Sequence, residues 1–305
     1  VAERSTLAAS DGYSLVLHRT PVEAASIKSR ACLLHGIQSH AGWYGETSRR
    51  LAAAGHEPCW LDRRGSGDNQ ADRGHVPHWE RWVSDVRQVV DFLRAQTPRC
   101  PTYVLGLSWG GRLASAFANF YPDCCDGLIL LYPALSPKLR VRWWQRAALN
   151  LGLSLGQNKR TVPVPLKDPA LFTDDPRAQR WIAADPKALH DVTLGFLGAN
   201  LELQSVLSDV PESLSIPVLM MLAGRDRIVD NERTRSALGR YRNSTTTLIE
   251  YPKACHTLEF DDCRDESLND LVAWLDRRRA DWDREKIGRE LLAAMMANPG
   301  NLACD

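Results

Sequence analysis

Apolar residues in this chain fall into short continuous runs separated by stretches with helical spacing. Runs stand at 13–18, 31–35, 57–62, 102–107, 127–132, 217–223 and 246–251, and several are rich in Leu, Ile and Val with little polar alternation. That pattern predicts strands covered on both faces, as in a mostly parallel sheet. Between two of them, Trp79, Trp82, Val83, Val86, Val90 and Leu93 recur at the spacing of an amphipathic helix over 79–96. Similar spacing predicts helices at 109–120, 232–241 and 267–278, with one more at 283–297 appended to the end. Strand and helix alternating in this way give an α/β fold, a central sheet with helices on both faces.

One interval breaks the alternation. Residues 136–214 are helical in pattern, interrupted by Pro163, Pro165, Pro169, Pro176 and Pro186, and no strand is predicted there. An excursion of that size between two buried strands reads as an inserted helical cap. The expected division is therefore a core in two parts, 1–135 and 215–282, a cap at 136–214, and a helical extension at 283–305.

Composition narrows the reading. Lys and Arg total 38 against 37 Asp and Glu, so the balanced charge gives no general field for nucleic acid. No apolar run reaches the roughly 18 residues of a membrane span. The charge is not evenly spread, however. Lys138, Arg140, Arg142, Arg146, Lys159 and Arg160 stand at the start of the cap with no Asp or Glu among them. Interleaved with Trp and Leu, they suit peripheral contact with anionic lipid as well as they suit a solvated face. The eight cysteines include no Cys-x-x-Cys pair, and a chain this long needs no staples, so they are expected to be reduced. No signal-peptide pattern is visible, and a cytoplasmic location is the expectation.

The chemistry concentrates at 102–111. A strand runs into Gly106-Leu107-Ser108-Trp109-Gly110, and a helical pattern follows. A serine on a sharp strand-to-helix turn is held strained with its hydroxyl exposed, and the flanking glycines avoid collisions that any Cβ would make. The following helix aims its N-terminus at the site, which favours developing negative charge. Ser108 is the candidate nucleophile. Its oxyanion needs two donors. The backbone N–H of Trp109 is one, and that of Ile37, after the strand ending in His35-Gly36, is the other. His35 itself reads as a structural residue holding that loop.

A general base should follow a late strand. His256, after the run at 246–251, fits; the other histidine beyond Ser108, His190, lies in the cap. Asp226, just past the run at 217–223, is placed to orient the imidazole. Asp230 is its rival, with helix capping as its alternative role.

These residues together resemble the α/β-hydrolases, and within them the monoglyceride lipase and lysophospholipase-like serine hydrolases. The likeness runs from about residue 10 to 275. It includes Asp11-Gly12, His35-Gly36, Arg73-Gly74-His75-Val76, the Ser108 elbow, Asp226 in Gly-x-Asp-x-Ile-Val and His256 in Tyr-Pro-x-Ala-x-His. The family's Asp-x-Arg-Gly-His-Gly-x-Ser loop reads differently here, with Ser66 for the histidine and Asn69 for the final serine. Trp109 is bulkier than the family's usual residue after the serine, and is expected to shorten or reshape the acyl pocket.

The resemblance implies a serine hydrolase acting on a lipid-like ester through an acyl-enzyme, without metal or organic cofactor. Trp143 and Trp144 of the cap are expected to line the acyl site. An acyltransferase or peptidase with the same triad, or a non-catalytic binding protein, would fit the same motifs.

Overall fold

A computed structural model describes residues 2–96, 100–139, 141–209, 214–239 and 245–297. Strands β1 (Glu3–Ala8), β2 (Ser14–Arg19), β3 (Ser29–Leu34), β4 (His56–Leu61), β5 (Thr102–Leu107) and β6 (Gly127–Leu131) precede the cap. Strands β7 (Thr161–Pro163) and β8 (Asp191–Thr193) lie within it, and β9 (Val218–Ala223) and β10 (Thr246–Tyr251) follow it. Eight of them form one sheet in the order β1-β2-β4-β3-β5-β6-β9-β10. Only β1 with β2 and β2 with β4 pair antiparallel; every other neighbouring pair in this sheet is parallel.

The missing alternation in the strand runs has a direct cause. In β3, Cys32 and Leu34 enter one core while Ala31 and Leu33 enter the other. In β9, Val218, Met220 and Leu222 face the first core, and Leu219, Met221 and Ala223 the second. Both faces are dry, so both residue parities must be apolar. The first core is closed by α2 (Trp79–Gln96) and α3 (Trp109–Phe120), through Trp82, Val86, Leu113 and Phe117, and by Phe196 and Leu203 of the cap helix α6 (Leu194–Asp209). The second is closed by Leu51 of α1 (Gly45–Ala53) and by Leu268, Leu271 and Trp274 of α8 (Arg264–Ala297).

Several expectations need correction. The cap contains a strand pair, β7 with β8, antiparallel from Thr161 opposite Thr193. Three residues per strand are too few to establish a period, and Pro163 disguises one of them. The helices expected at 267–278 and 283–297 are one continuous α8, so no separate helix is appended. The interval 279–282 left between them is Arg-Ala-Asp-Trp, which contains no helix breaker. Strand β1 and helix α1 were not anticipated. The helix expected at 232–241 is α7 (Asn231–Leu238), and its last two expected positions lie outside the described residues. The cap is completed by α4 (Trp143–Ser154) and α5 (Pro176–Ala183).

Seven cysteines are unpaired; Cys304 and Arg140 lie outside the described residues. Among the described residues no helix is long and apolar enough to cross a membrane.

Candidate active site

Ser108 sits between β5 and α3 at φ 51° and ψ −119°. That conformation costs an L-residue about 1–3 kcal/mol and must be enforced by its surroundings. The enforcement is visible. Ser108 N–H donates to Leu131 O at 3.0 Å, and Ser108 O accepts from Gly111 N at 3.0 Å and Ala134 N at 2.8 Å. A Cβ on Gly106 would meet the backbone of Gly110 and Gly111, and one on Gly110 would overlap the Leu34 carbonyl. The glycines let β5, α3 and the end of β3 approach closely enough to form the elbow.

The structure brings Ser108, His256 and Asp226 together. His256 Nε2 lies 2.9 Å from Ser108 Oγ, and His256 Nδ1 lies 2.7 Å from Asp226 Oδ2. Asp226 Oδ1 accepts from the Ile228 and Val229 N–H groups at 2.7 and 2.8 Å, which fixes the carboxylate's orientation. The imidazole is buried, with Tyr132 edge-on at 4.9 Å and Phe172 at 6.1 Å. Asp230, the rival carboxylate, instead caps α7 by accepting from Arg233 N–H.

The 35–37 loop lies against the serine, since a Cβ on Gly36 would stand 3.5 Å from Ser108 Cβ. His35 holds this loop. Burial, with the Arg63 charge beside it, pushes its pKa down to about 3, so the ring is neutral. Its Nδ1–H donates to Gly36 O at 2.8 Å, and its Nε2 accepts from Arg63 N–H at 3.0 Å. Ser66 Oγ is 3.2 Å from the same nitrogen, so the departure from the family loop is absorbed locally. Asn69 accepts from Val16 N–H and donates to Asp62 O, tying the same loop to the sheet.

Sequence reasoning missed Arg63 as a working residue. Its guanidinium donates to Gly36 O at 3.2 Å and Ile37 O at 2.9 Å. Anchoring those carbonyls fixes the plane of their peptide units, one of which carries the Ile37 N–H. The same guanidinium lies 4.6 Å over the Trp109 ring. Burial pushes the Arg63 pKa down to about 9, which leaves it cationic at neutral pH. A doubled Arg inside a Gly-rich loop was the available signal.

Trp109 is the first residue of α3, so its N–H has no intrahelical acceptor. Its indole packs edge-on to Trp82 at 4.9 Å, tilts against Phe196 at 5.8 Å, and donates from Nε1 to Asn200 Oδ1 at 2.8 Å. It is therefore buried in the wall between α2, α3 and α6. Ser108, Ile37 and Trp109 line a cavity of about 590 Å³ whose other walls include Val164, Leu166, Leu197, Leu201 and Ile228.

Trp143 and Trp144 do not line this cavity. Trp143 is 80% exposed at the start of α4, and Trp144, 50% exposed, borders an adjoining apolar cavity of about 570 Å³. The face of α4 that meets the protein carries Leu149 and Gly152, and the helical period turns Trp143 outward. A polar cleft of about 780 Å³ behind the His256 loop includes none of Ser108, Asp226 and His256.

Metal-ligand atoms gather, among the described residues, at His18, Asp62 and Asp68, within 4.8 Å of one another. They are already committed. Asp62 accepts from Ala41 and Asp68 N–H groups, and Asp68 pairs with Lys187 at 2.6 Å. Burial works against the Asp62 charge, yet the His18 hydrogen bond and nearby His35 hold its pKa well below the usual range.

Known proteins share this arrangement of chain. The chain is 27% identical over 244 residues to a monoacylglycerol lipase of Mycolicibacterium smegmatis, covering 80% of this chain and 86% of that protein. It is 27% identical over 256 residues to the human monoglyceride lipase, covering 81% and 82%. Among solved structures, the Paleococcus ferrophilus monoacylglycerol lipase superposes with a TM-score of 0.75 at 21% identity, over 87% of this chain and 99% of that one. A soluble variant of the Saccharomyces cerevisiae monoglyceride lipase, solved with a substrate analogue, superposes at 0.80 and 18% identity, over 91% and 96%. These two structural likenesses speak to the α/β-hydrolase fold. A family model matches residues 25–262, most of the chain, and the protein therefore belongs to the hydrolase family described as serine aminopeptidase, S33.

Proposed function

We propose that the protein is a serine hydrolase that cleaves carboxylic esters of monoacylglycerol or lysophospholipid type through an acyl-enzyme. The observation that carries this reading is the unbroken chain from Asp226 through His256 to Ser108, ending on a strained elbow inside a largely apolar cavity. Ser108 Oγ attacks the ester carbonyl while His256 Nε2 takes its proton, and Asp226 stabilises the imidazolium. The Ile37 and Trp109 N–H groups donate to the oxyanion. Collapse expels the alcohol, which takes the proton from His256. Water then attacks the acyl-enzyme, giving a proton to His256 that returns to Ser108 as the acid leaves. No step requires a metal or organic cofactor.

The substrate class draws support from the names of the relatives and from the apolar lining of the cavity. An aminopeptidase activity, which the family's description suggests, needs a carboxylate to hold the substrate's ammonium group. Among the described residues, those lining the Ser108 cavity include no Asp or Glu, which favours an ester. Hydrolysis of p-nitrophenyl butyrate and of monoacylglycerols by the wild-type protein, and its loss in Ser108→Ala, tests the reading. A Ser108→Ala protein of full activity would overturn it.

Contact with a lipid surface through the start of the cap belongs to the same reading. Val141, Trp143, Leu151 and Leu155 are exposed there, beside the exposed Arg142 and Arg146. Lys138 and Lys159 are less free, since they donate to Asp226 O and pair with Asp72. Co-sedimentation with vesicles should increase with anionic lipid content; indifference to lipid charge would remove this part.

A further inference from the structure

We infer that Arg112 holds an anionic group of the substrate, so that the ester taken by this site carries a carboxylate or phosphate near its scissile bond. The inference rests on Ser108 as the nucleophile and sharpens the substrate class.

Arg112 lies on α3 four residues after Ser108, one turn along the same face, with a rise of about 6 Å. It lines the Ser108 cavity and is only 3% exposed. Both of its hydrogen bonds go to neutral acceptors: Nη1 donates to Asn200 Oδ1 at 2.7 Å and Nη2 to Ala134 O at 2.8 Å. Among the described residues it makes no ion pair. Arg64, also buried, shows the usual solution, with Asp85 meeting it at 2.7 Å through two nitrogens. A buried guanidinium without a counter-ion carries a large uncompensated desolvation cost. Tying Asn200 to the elbow does not require that cost, because a neutral amide makes the same hydrogen bonds.

Burial pushes the Arg112 pKa down to about 10, so the group is cationic at neutral pH. Among the described residues the cavity offers no compensation, for its charged lining residues are Arg112, Arg146 and Arg233. Of these, Arg146 is exposed and Arg233 shares its charge with Asp230 at 3.4 Å. Five N–H groups on Arg112 serve two acceptors, which leaves three for a ligand. A carboxylate or phosphate matches that fork and supplies the missing negative charge.

The anion has two possible positions on an ester, and two substrate pairs separate them. For the acyl side, p-nitrophenyl hydrogen adipate is compared with p-nitrophenyl hexanoate. For the alcohol side, 1-hexanoylglycerol 3-phosphate is compared with 1-hexanoylglycerol. We expect one pair to favour the anionic member by about tenfold or more in kcat/KM, on the scale of a charge-assisted bidentate contact. Arg112→Gln should reduce that ratio to within about twofold, and Arg112→Lys should restore part of it.

Binding is also measured without turnover, by calorimetry on Ser108→Ala with monomethyl adipate, hexyl phosphate and hexanol. An anionic ligand should bind about tenfold tighter than hexanol, and adding Arg112→Gln should remove the advantage. If Ser108 is not the nucleophile, the kinetic comparisons fail while the binding preference persists. Absence of the preference in both assays, or its persistence in Arg112→Gln, overturns the proposal.

Discussion

Replacing Arg63 with Met separates what this residue does for the fold from what it does for the reaction. Ile37 O loses its donor, while Gly36 O keeps the one from His35 Nδ1–H. Each buried acceptor left unsatisfied costs about 1–3 kcal/mol. Against this, the variant no longer buries a guanidinium. Burying it costs several kcal/mol, and the same desolvation pushes its pKa down to about 9. The two contributions oppose one another, and Met fills much of the space over Trp109, so the variant should lose no more than about 2 kcal/mol of folding stability.

Activity should not be spared. Without Arg63 the Ile37 carbonyl is released and Gly36 O is held by His35 Nδ1–H alone, so the aim of the Ile37 N–H loosens. Loss of one oxyanion donor costs about 10²–10³ in rate. Since His35 still holds part of the loop, a fall of about 10- to 100-fold in kcat is expected. Stopped-flow hydrolysis of p-nitrophenyl butyrate and urea unfolding at pH 7 measure the two effects. Equal kcat in the two proteins would refute the clamp. A loss of activity matched by a stability loss of 4 kcal/mol or more would show that Arg63 is a folding residue instead.

Other predictions follow from the same contacts. Gly106→Ala forces a Cβ into the backbone of Gly110 and Gly111, so the soluble yield should collapse or the unfolding free energy drop by at least 1–3 kcal/mol; an unchanged urea midpoint would contradict the packing at the elbow. Stability should also fall in acid. His35 and His56 are kept neutral by burial, their pKa values pushed down to about 3 and 4. Their contributions are complete above about pH 6.5 and lost as pH falls through those values, at up to about 1.4 kcal/mol per pH unit each. Glu259 runs the other way. Burial raises its pKa to about 7, so its contribution is present below about pH 4.5 and lost as pH rises through 7. The wild type should therefore gain about 1.4 kcal/mol per pH unit relative to Glu259→Gln between pH 6.5 and 5. Parallel urea-stability curves for the two proteins would contradict this assignment.

Much of the site was legible because its signals are local. The Gly-x-Ser-x-Gly turn, Asp226 one turn past β9 and His256 past β10 each stand at the end of an apolar run, where a sheet delivers its functional residues to one edge. Doubly covered strands announced themselves as runs without alternation. Where burial is weaker, the pattern fades. Five of the six residues of β1 are exposed, so β1 carries no hydrophobic signature. Strands β7 and β8 are too short for a period.

Side-chain direction was the harder problem. The aromatic content of Trp143 and Trp144 suggested a pocket, but only the helical phase, set by Leu149 and Gly152 facing inward, decides which way they point. Buried cations were equally opaque. Arg63 and Arg112 look like surface charges in a sequence, and only the packing shows that carbonyls and an amide surround them. The clearest clue was Arg112 itself, a lone charge within the small and apolar residues that follow Ser108.

In the proposed mechanism Ser108 is acylated by the substrate. Mixing the protein with p-nitrophenyl butyrate, quenching in acid within the first turnover and weighing the intact chain measures this directly. A burst of p-nitrophenol approaching one equivalent is expected, with a butyryl adduct that peptide mapping assigns to Ser108, both absent in Ser108→Ala. Hydrolysis with an adduct on another residue, or an adduct that survives in Ser108→Ala, would contradict it.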